Sequence, residues 1–123
     1  MNPLKITLVQ AYLFWENIDK NLQNLSLKLT DIREKTDLII LPEMFTTGFS
    51  MNAQQLAEEM GGKTMKWMQE KAYKFDAVVT GSIIIKENNQ KEFEKIKIMP
   101  SCLRGKGLSI SSDGRFHPCQ ASY

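Results

Sequence analysis

The side chains in this sequence that could carry acid–base or nucleophilic chemistry include the carboxylate of Glu43 and the thiols of Cys102 and Cys119. A carboxylate beside a crevice can act as a general base, and a thiol becomes a strong nucleophile once it loses its proton. The two cysteines have unlike neighbours and no metal-ligand spacing, so we expect free thiols. On position alone, a solvated loop residue is the more ordinary interpretation of Glu43, because most loop carboxylates have no catalytic role.

A short apolar run determines where Glu43 lies. Residues 38–41 are four consecutive large aliphatic residues between Asp37 and Pro42. A half-exposed strand would alternate polar and apolar residues, so this run predicts a short strand that is buried on both faces. Proline cannot continue a central ladder, so the chain turns there and leaves Glu43 facing a crevice. In open α/β sheets, ligands bind at this carboxyl edge.

Two elements before this strand complete a strand–helix–strand unit. Residues 4–10 alternate polar and apolar side chains and then become apolar, which predicts a first strand near the sheet centre. Residues 17–35 predict a helix, because apolar side chains recur at spacings of three and four: Ile18, Leu22, Leu25, Leu29 and Ile32. Parallel strands need a long crossover, so we expect a right-handed βαβ unit. Tyr12, Phe14 and Trp15, in the first connection, could line a site, and anchoring of the loop on the core is the simpler interpretation.

The strand and helix pattern repeats after the loop of residues 44–51. Asn52 can cap a short helix that runs through Glu59 and stops at Gly61 and Gly62. Residues 63–75 predict a second helix with Met65, Met68, Ala72 and Phe75 on one side. The methionines are better interpreted as packing residues than as ligands of a cofactor. Residues 76–85 predict a third parallel strand with Gly81 in its middle, allowing a bulge or close backbone approach.

The character of the chain changes near residue 87. Residues 87–92 predict a polar turn, and the apolar residues among the lysines of 93–99 predict an antiparallel strand. Residues 108–111 alternate as a short strand, and residues 112–115 suit a hairpin turn. Residues 116–123 show no clear periodicity.

Composition narrows the class of protein. The 123 residues are 42% hydrophobic and 24% charged, which fits one globular domain or a piece of one. The net charge of +2 and the interleaving of basic with acidic residues argue against nucleic-acid binding. We find no apolar run of membrane-spanning length and no signal-peptide pattern, so the expected location is the cytoplasm, without membrane partners.

The ordered set of motifs resembles the nitrilase, or carbon-nitrogen hydrolase, superfamily. Residues 5–10 resemble its opening strand, Asn17, Asn21 and Leu25 its first helix, residues 37–45 its first catalytic signature, and residues 80–82 the start of its next core strand. Residues 45–51 look most like the omega-amidase branch, whose members hydrolyse the side-chain amides of short 2-oxo dicarboxylic acid monoamides. The resemblance covers residues 4–90, and residues 91–123 are divergent or frameshifted.

The resemblance implies a fold and a catalytic role for Glu43. The fold would be α/β: the N-terminal half of an α-β-β-α sandwich, with a mostly parallel sheet and helices on its outer face. Family members use a Glu-Lys-Cys triad, in which Glu43 would be the general base, and the family reaction needs no cofactor or metal. The partner of the complete domain would be a small-molecule amide, and a homo-oligomer is left open.

The resemblance does not extend to the rest of the triad. The family's lysine lies in a segment like Tyr-Asp-Lys-Arg-His, whereas this chain reads Phe116-His117-Pro118-Cys119 and ends at Tyr123. Cys102 and Cys119 do not resemble the family's Cys-Tyr-Asp or Cys-Trp-Asp turn, and Lys106 is not assigned either. We therefore expect the chain to be inactive alone. A frameshift is one explanation, since a shifted reading of residues 120–122 can encode Lys-Arg; a short homologue and an arbitrary terminus are the others.

Two other classes of function remain for this sequence. The first is a non-catalytic binding or assembly module that retains the half-fold. The second is a small doubly wound domain that binds a nucleotide or acts as a response module, which is disfavoured because no Gly-rich phosphate loop follows Gln10.

Overall fold

The computed structural model describes residues 3–59, 61–86, 95–98, 108–110 and 116–118. In chain order the elements are β1 (Ile6–Leu8), α1 (Ile18–Leu29), β2 (Leu38–Ile40), α2 (Ala53–Leu56), β3 (Glu58–Glu59), α3 (Lys63–Phe75), β4 (Val78–Thr80), β5 (Ser82–Lys86), β6 (Lys95–Ile98), β7 (Leu108–Ile110) and β8 (Phe116–Pro118). None of the helices in this described part is long and apolar enough to cross a membrane.

Strands β1, β2 and β4 form a parallel sheet in the order β1-β2-β4, which is called the first sheet below. Ile6 is in register with Leu38, and Leu38 with Val78, so the expected parallel strand–helix–strand pattern is confirmed. The prediction of a central first strand is wrong for the described residues, because β1 lies at the edge and pairs only with β2. Alternation identified β1 as a strand but carried no information about its neighbours.

One face of this sheet packs in the hydrophobic core. Ile39 and Val79 are fully buried and belong to one cluster with Leu25 of α1 and Met68 of α3. The prediction that β2 is buried on both faces is wrong, because Leu38 and Ile40 on the opposite face are only half-buried. The helices therefore cover one side of the sheet, as the expected mixed helix and parallel-sheet fold requires.

Helix α1 begins where the sequence predicts and ends six residues early. Asn17 caps it, since the Asn17 side-chain oxygen accepts a hydrogen bond from the Lys20 amide at 3.1 Å. At the other end, Thr30, Asp31 and Ile32 donate backbone bonds to the carbonyls three residues earlier, so the chain tightens and leaves the α-helix at Leu29. Ile32 still packs against the core, which explains why it continued the apolar stripe.

The segment before α3 differs from the expected helix of residues 52–59. Only Ala53–Leu56 is helical, and Asn52 precedes it without a side-chain capping bond. Glu58 and Glu59 instead pair with Ile85 and Lys86 in a parallel ladder. The Glu58 carboxylate accepts a bond from the Thr64 amide at 2.8 Å and thereby caps α3, whose predicted range is confirmed.

Lys63 joins the two helices at the surface. Its ammonium pairs with the carboxylate of Asp19 in the first turn of α1. The hydrogen bond and the charge of Asp19 raise the pKa of Lys63 above its usual value. Both groups are exposed, so we assign this pair a small part in stability.

The apolar run of residues 76–85 forms two strands and not one. β4 belongs to the first sheet, whereas β5 belongs to a second sheet of order β3-β5-β6, and Gly81 lies between them. A Cβ atom at Gly81 would lie 2.6 Å from the Phe45 ring and 3.2 Å from the Leu41 Cβ. The predicted close approach at Gly81 therefore exists, and a single continuous strand was the wrong interpretation.

The last strands agree with the sequence pattern where they are described. β6 pairs with β5 in antiparallel fashion, as predicted from residues 93–99. β7 confirms the short strand predicted at residues 108–111. It pairs in antiparallel fashion with β8, a strand that the periodicity of residues 116–123 did not indicate. The turns expected at residues 87–92 and 112–115 lie outside the described residues.

Candidate active site

Glu43 follows the central strand of the first sheet. The ladder ends at Leu41, whose amide donates to the carbonyl of Thr80 at 2.8 Å. Pro42 and then Glu43 follow, so the carboxylate lies at the carboxyl end of β2, where the sequence places it. The Glu43 side chain is exposed.

The loop after Glu43 is anchored in the protein interior. Met44, Phe45, Thr46 and Thr47 are each at most 2% exposed, so within residues 43–47 only the glutamate reaches solvent. The amides of Thr47 and Gly48 donate to the Met44 carbonyl at 3.2 and 2.9 Å, which closes a tight turn. Gly48 takes a φ of 74°, which a glycine adopts without strain. This buried, hydrogen-bonded turn holds the backbone from which the Glu43 carboxylate projects.

Ser82 fixes the peptide bond immediately after Glu43. Met44 has a φ of 47°, a left-handed conformation that is unusual for a residue other than glycine. Its amide donates a buried hydrogen bond of 2.8 Å to Oγ of Ser82, the first residue of β5. The bond satisfies a buried donor and holds the strained residue in place. The break at Gly81 therefore brings Ser82 next to the candidate base.

Asn21 ties the same loop to α1. Its side chain is fully buried and makes three hydrogen bonds: Oδ1 accepts from the Phe14 amide at 2.7 Å, and Nδ2 donates to the carbonyls of Phe14 at 2.8 Å and Thr46 at 2.6 Å. One amide side chain thus joins the helix to two loops. The sequence indicated Asn21 only as part of a resemblance. The available signal was an asparagine one helical turn from both Ile18 and Leu25, on the stripe that must be buried.

The loop of residues 11–17 runs beside the Glu43 loop. The Glu16 amide donates to the Thr47 carbonyl at 2.9 Å, and its carboxylate accepts from the Ser50 hydroxyl at 2.7 Å. The prediction that the aromatic residues anchor this loop on the core is wrong, since Tyr12 is 97%, Trp15 64% and Phe14 39% exposed and none of them packs against the core cluster. Ala11 and Leu13 pack against the core instead. The hydrogen bonds place Trp15 near the candidate site, where it covers Gly48.

Replacing Asn21 with alanine should destabilise the protein by about 3 kcal/mol, because the buried Thr46 carbonyl and the partly buried amide and carbonyl of Phe14 lose their partner. Urea unfolding followed by circular dichroism measures this loss. Asn24→Ala is the matched control, since Asn24 is a half-buried residue of the same helix. Equal losses in the two variants would contradict the bridging role of Asn21.

The other residues considered from the sequence cannot be placed around Glu43. Cys102, Cys119 and Lys106 lie outside the described residues, so whether a thiol or an ammonium group approaches Glu43 stays untested. Among the described residues, no group of three or more His, Cys, Asp or Glu side chains is arranged to hold a metal ion. A groove of about 750 Å³ lies along residues 5–10, 28–29 and 31–36, and Glu43 does not line it.

Comparison with known proteins identifies the family. The model of the carbon-nitrogen hydrolase family matches residues 5–99, which is most of the sequence. The chain therefore belongs to the carbon-nitrogen hydrolase family, and the resemblance noted from the Glu43 segment is confirmed.

The most similar relatives include two bacterial amidases. Omega-amidase YafV of Yersinia enterocolitica is 38% identical over 85 residues, which are 69% of this chain and 32% of that protein. The 2-oxoglutaramate amidase of Bacillus subtilis strain 168 is 34% identical over 55 residues, which are 43% of this chain and 21% of that protein. The chain thus spans at most about a third of the curated relatives it matches.

A solved structure supports the same assignment. XC1258 of Xanthomonas campestris is described as a CN-hydrolase superfamily protein with an arsenic adduct in its active site. It superposes with a TM-score of 0.75 at 29% identity, over 95% of this chain and 40% of that one. The described fold is therefore part of a nitrilase-superfamily domain.

Proposed function

We infer that this chain supplies the general-base portion of an omega-amidase-type carbon-nitrogen hydrolase. Glu43 is the general base, and the substrate class is the monoamide of a short 2-oxo dicarboxylic acid. The lysine and cysteine that the resemblance implies come from sequence beyond the matched part. The 123-residue chain is then inactive by itself.

The observation that carries this proposal is the exposure of Glu43 on a loop that is otherwise buried. Four consecutive buried residues follow the glutamate, and Ser82 and Asn21 hold the turn from two different elements. A solvated loop glutamate without a role would not need a left-handed Met44 held by a buried bond. A general base does need a fixed carboxylate, because proton transfer requires hydrogen-bond reach to the acidic group.

The chemistry assigned to Glu43 is proton removal from a thiol. The carboxylate takes the thiol proton, the thiolate attacks the amide carbon, and a lysine ammonium stabilises the oxyanion that forms. Protonated Glu43 returns that proton to the amide nitrogen, which leaves as ammonia as the carbon–nitrogen bond breaks, so the acyl group stays on the sulfur as a thioester. Glu43 then takes a proton from a water molecule, which attacks the thioester and releases the acid and the thiol. Glu43 projects from the carboxyl edge of a parallel sheet, a position from which it can reach groups on other segments.

An ammonia-release assay tests the proposal. The 123-residue chain should release no ammonia from 2-oxoglutaramate above the buffer rate. A chimaera that joins residues 1–86 of this chain to the remaining sequence of the Yersinia enterocolitica omega-amidase should be active, because it restores the missing catalytic groups around Glu43. The complete Yersinia enterocolitica protein, tested as a positive control, shows whether 2-oxoglutaramate is a suitable substrate.

Two results would contradict the proposal. Cooperative unfolding in urea would show that the chimaera is folded. A folded chimaera that releases no ammonia would contradict the assignment of Glu43 as the general base. Turnover by the 123-residue chain that is lost in Cys102→Ala or Cys119→Ala would show that a cysteine of this chain is the nucleophile.

A further inference from the structure

Ser82 carries a buried hydroxyl proton that has no acceptor among the described residues. The residue is only 8% exposed. Its Oγ accepts a hydrogen bond from the Met44 amide at 2.8 Å, and no described group accepts the hydroxyl proton in turn. A buried donor that lacks an acceptor is unfavourable and uncommon in folded proteins, so this one requires an explanation.

The Ser82 hydroxyl lies close to Glu43. In a trans peptide the amide N–H points to the same side as the preceding Cα atom, which here belongs to Glu43. With standard bond lengths, an oxygen 2.8 Å from the Met44 nitrogen is then about 4 Å from the Glu43 Cα atom. A glutamate side chain spans such a distance by rotation about its single bonds. The Glu43 carboxylate can therefore turn from its exposed position and reach the Ser82 hydroxyl.

Ser50, in the loop after Glu43, shows how a buried serine binds a carboxylate in this protein. Ser50 is 7% exposed, and its Oγ accepts a hydrogen bond from the Asn52 amide at 3.0 Å. Its hydroxyl donates to the Glu16 carboxylate at 2.7 Å. Ser82 likewise accepts a backbone amide but lacks the bond to a carboxylate. The Glu43 carboxylate, which is within reach, would complete the same arrangement at Ser82.

We propose that Ser82 is a positioning residue for the general base and donates a hydrogen bond to the Glu43 carboxylate when that side chain turns toward β5. This inference rests on the function proposed above, because it concerns how Glu43 is presented to the thiol. Hydrogen bonds to ionised carboxylates are stronger than those between neutral groups. A carboxylate has two oxygen atoms, so one accepts from Ser82 while the other takes the thiol proton.

Kinetics of the active chimaera test this role. Ser82→Ala should lower kcat and kcat/KM together at least about tenfold and leave KM unchanged, because a misplaced general base slows the chemical step. Ser82→Thr keeps the hydroxyl and should stay within about threefold of the chimaera with Ser82. Ser26→Ala is the matched control, since Ser26 also accepts a hydrogen bond of 2.8 Å, from the Trp67 indole, but lies in α1. It should leave both constants unchanged.

A double substitution separates positioning from a general effect on the fold. If Ser82 acts through Glu43, adding Ser82→Ala to Glu43→Gln should lower kcat by no more than about twofold beyond Glu43→Gln alone. Independent effects would instead multiply. Full multiplication, full activity of Ser82→Ala, or equal losses in Ser82→Ala and Ser82→Thr would each overturn the proposal.

Nuclear magnetic resonance of the 123-residue chain tests the contact without amidase activity, and it needs no variant that has to fold. Nuclear Overhauser effects should connect the β-protons of Ser82 with the γ-protons of Glu43. Their absence from a chain whose Met44 amide shows an effect to the Ser82 β-protons would overturn the proposal. An inactive chimaera together with a Ser82–Glu43 effect in the 123-residue chain would contradict the proposed function while supporting the contact.

Discussion

The Glu43→Gln chimaera should release ammonia from 2-oxoglutaramate at least about a hundredfold more slowly than the chimaera with Glu43, the usual scale for loss of a positioned general base. Glutamine has nearly the same shape as glutamate but cannot accept the thiol proton. The loss should fall on kcat/KM and on kcat together, because the carboxylate acts in the chemical step. Initial rates over a range of substrate concentrations measure both quantities.

Glu59→Gln is the matched control for this experiment. Glu59 is also an exposed glutamate, and it lies in β3, away from the turn that presents Glu43. We expect its activity to be unchanged. Urea unfolding of the Glu43→Gln chimaera should also be unchanged, since the Glu43 side chain makes no hydrogen bond with another described residue. Full activity in Glu43→Gln would refute the assignment of the general base.

The second large effect concerns stability. Replacing Leu25 with alanine should lower the free energy of unfolding by about 2–5 kcal/mol, because the side chain is fully buried and its removal leaves a cavity. Leu25 lies in the cluster that joins α1 to Ile39 and Val79 of the sheet. Equilibrium urea unfolding of the 123-residue chain measures the change.

Leu27→Ala provides the comparison within the same helix. It makes the same chemical change at a side chain that is 64% exposed, so its effect should stay within about 0.5 kcal/mol. A loss below about 0.5 kcal/mol for Leu25→Ala would place Leu25 at the surface and would contradict the packing of α1 described above.

Periodicity predicted α1, α3 and the parallel strands of the first sheet. The range of α3 and the start of α1 agree with the sequence, because an apolar stripe at helical spacing and an asparagine cap are local signals. The order of neighbours in a sheet is not local. The pattern of β1 therefore identified a strand but gave it the wrong position. Gly81 predicted a bulge or a close backbone approach within residues 76–85, but not that the run is divided between two sheets.

Local sequence rules predicted only the central residue of the candidate site, Glu43. Pro42 after an apolar run places Glu43 at a strand end by local rules alone. Ser82 and Asn21 hold the loop through contacts across 38 and 25 positions, which no local pattern encodes. Glu58 illustrates the same point, since it was expected in a helix and instead pairs in a ladder while capping α3.

The bond between the Met44 amide and Ser82 also sets an order of events during synthesis. Ser82 leaves the ribosome after the whole of α1, β2 and α3, so the peptide bond next to Glu43 has no permanent partner while those elements form. Helices form within the nascent chain from local contacts, whereas this bond must wait for a distant segment. The turn that presents the carboxylate should therefore reach its final shape only after the 82nd residue has been added and β5 has docked.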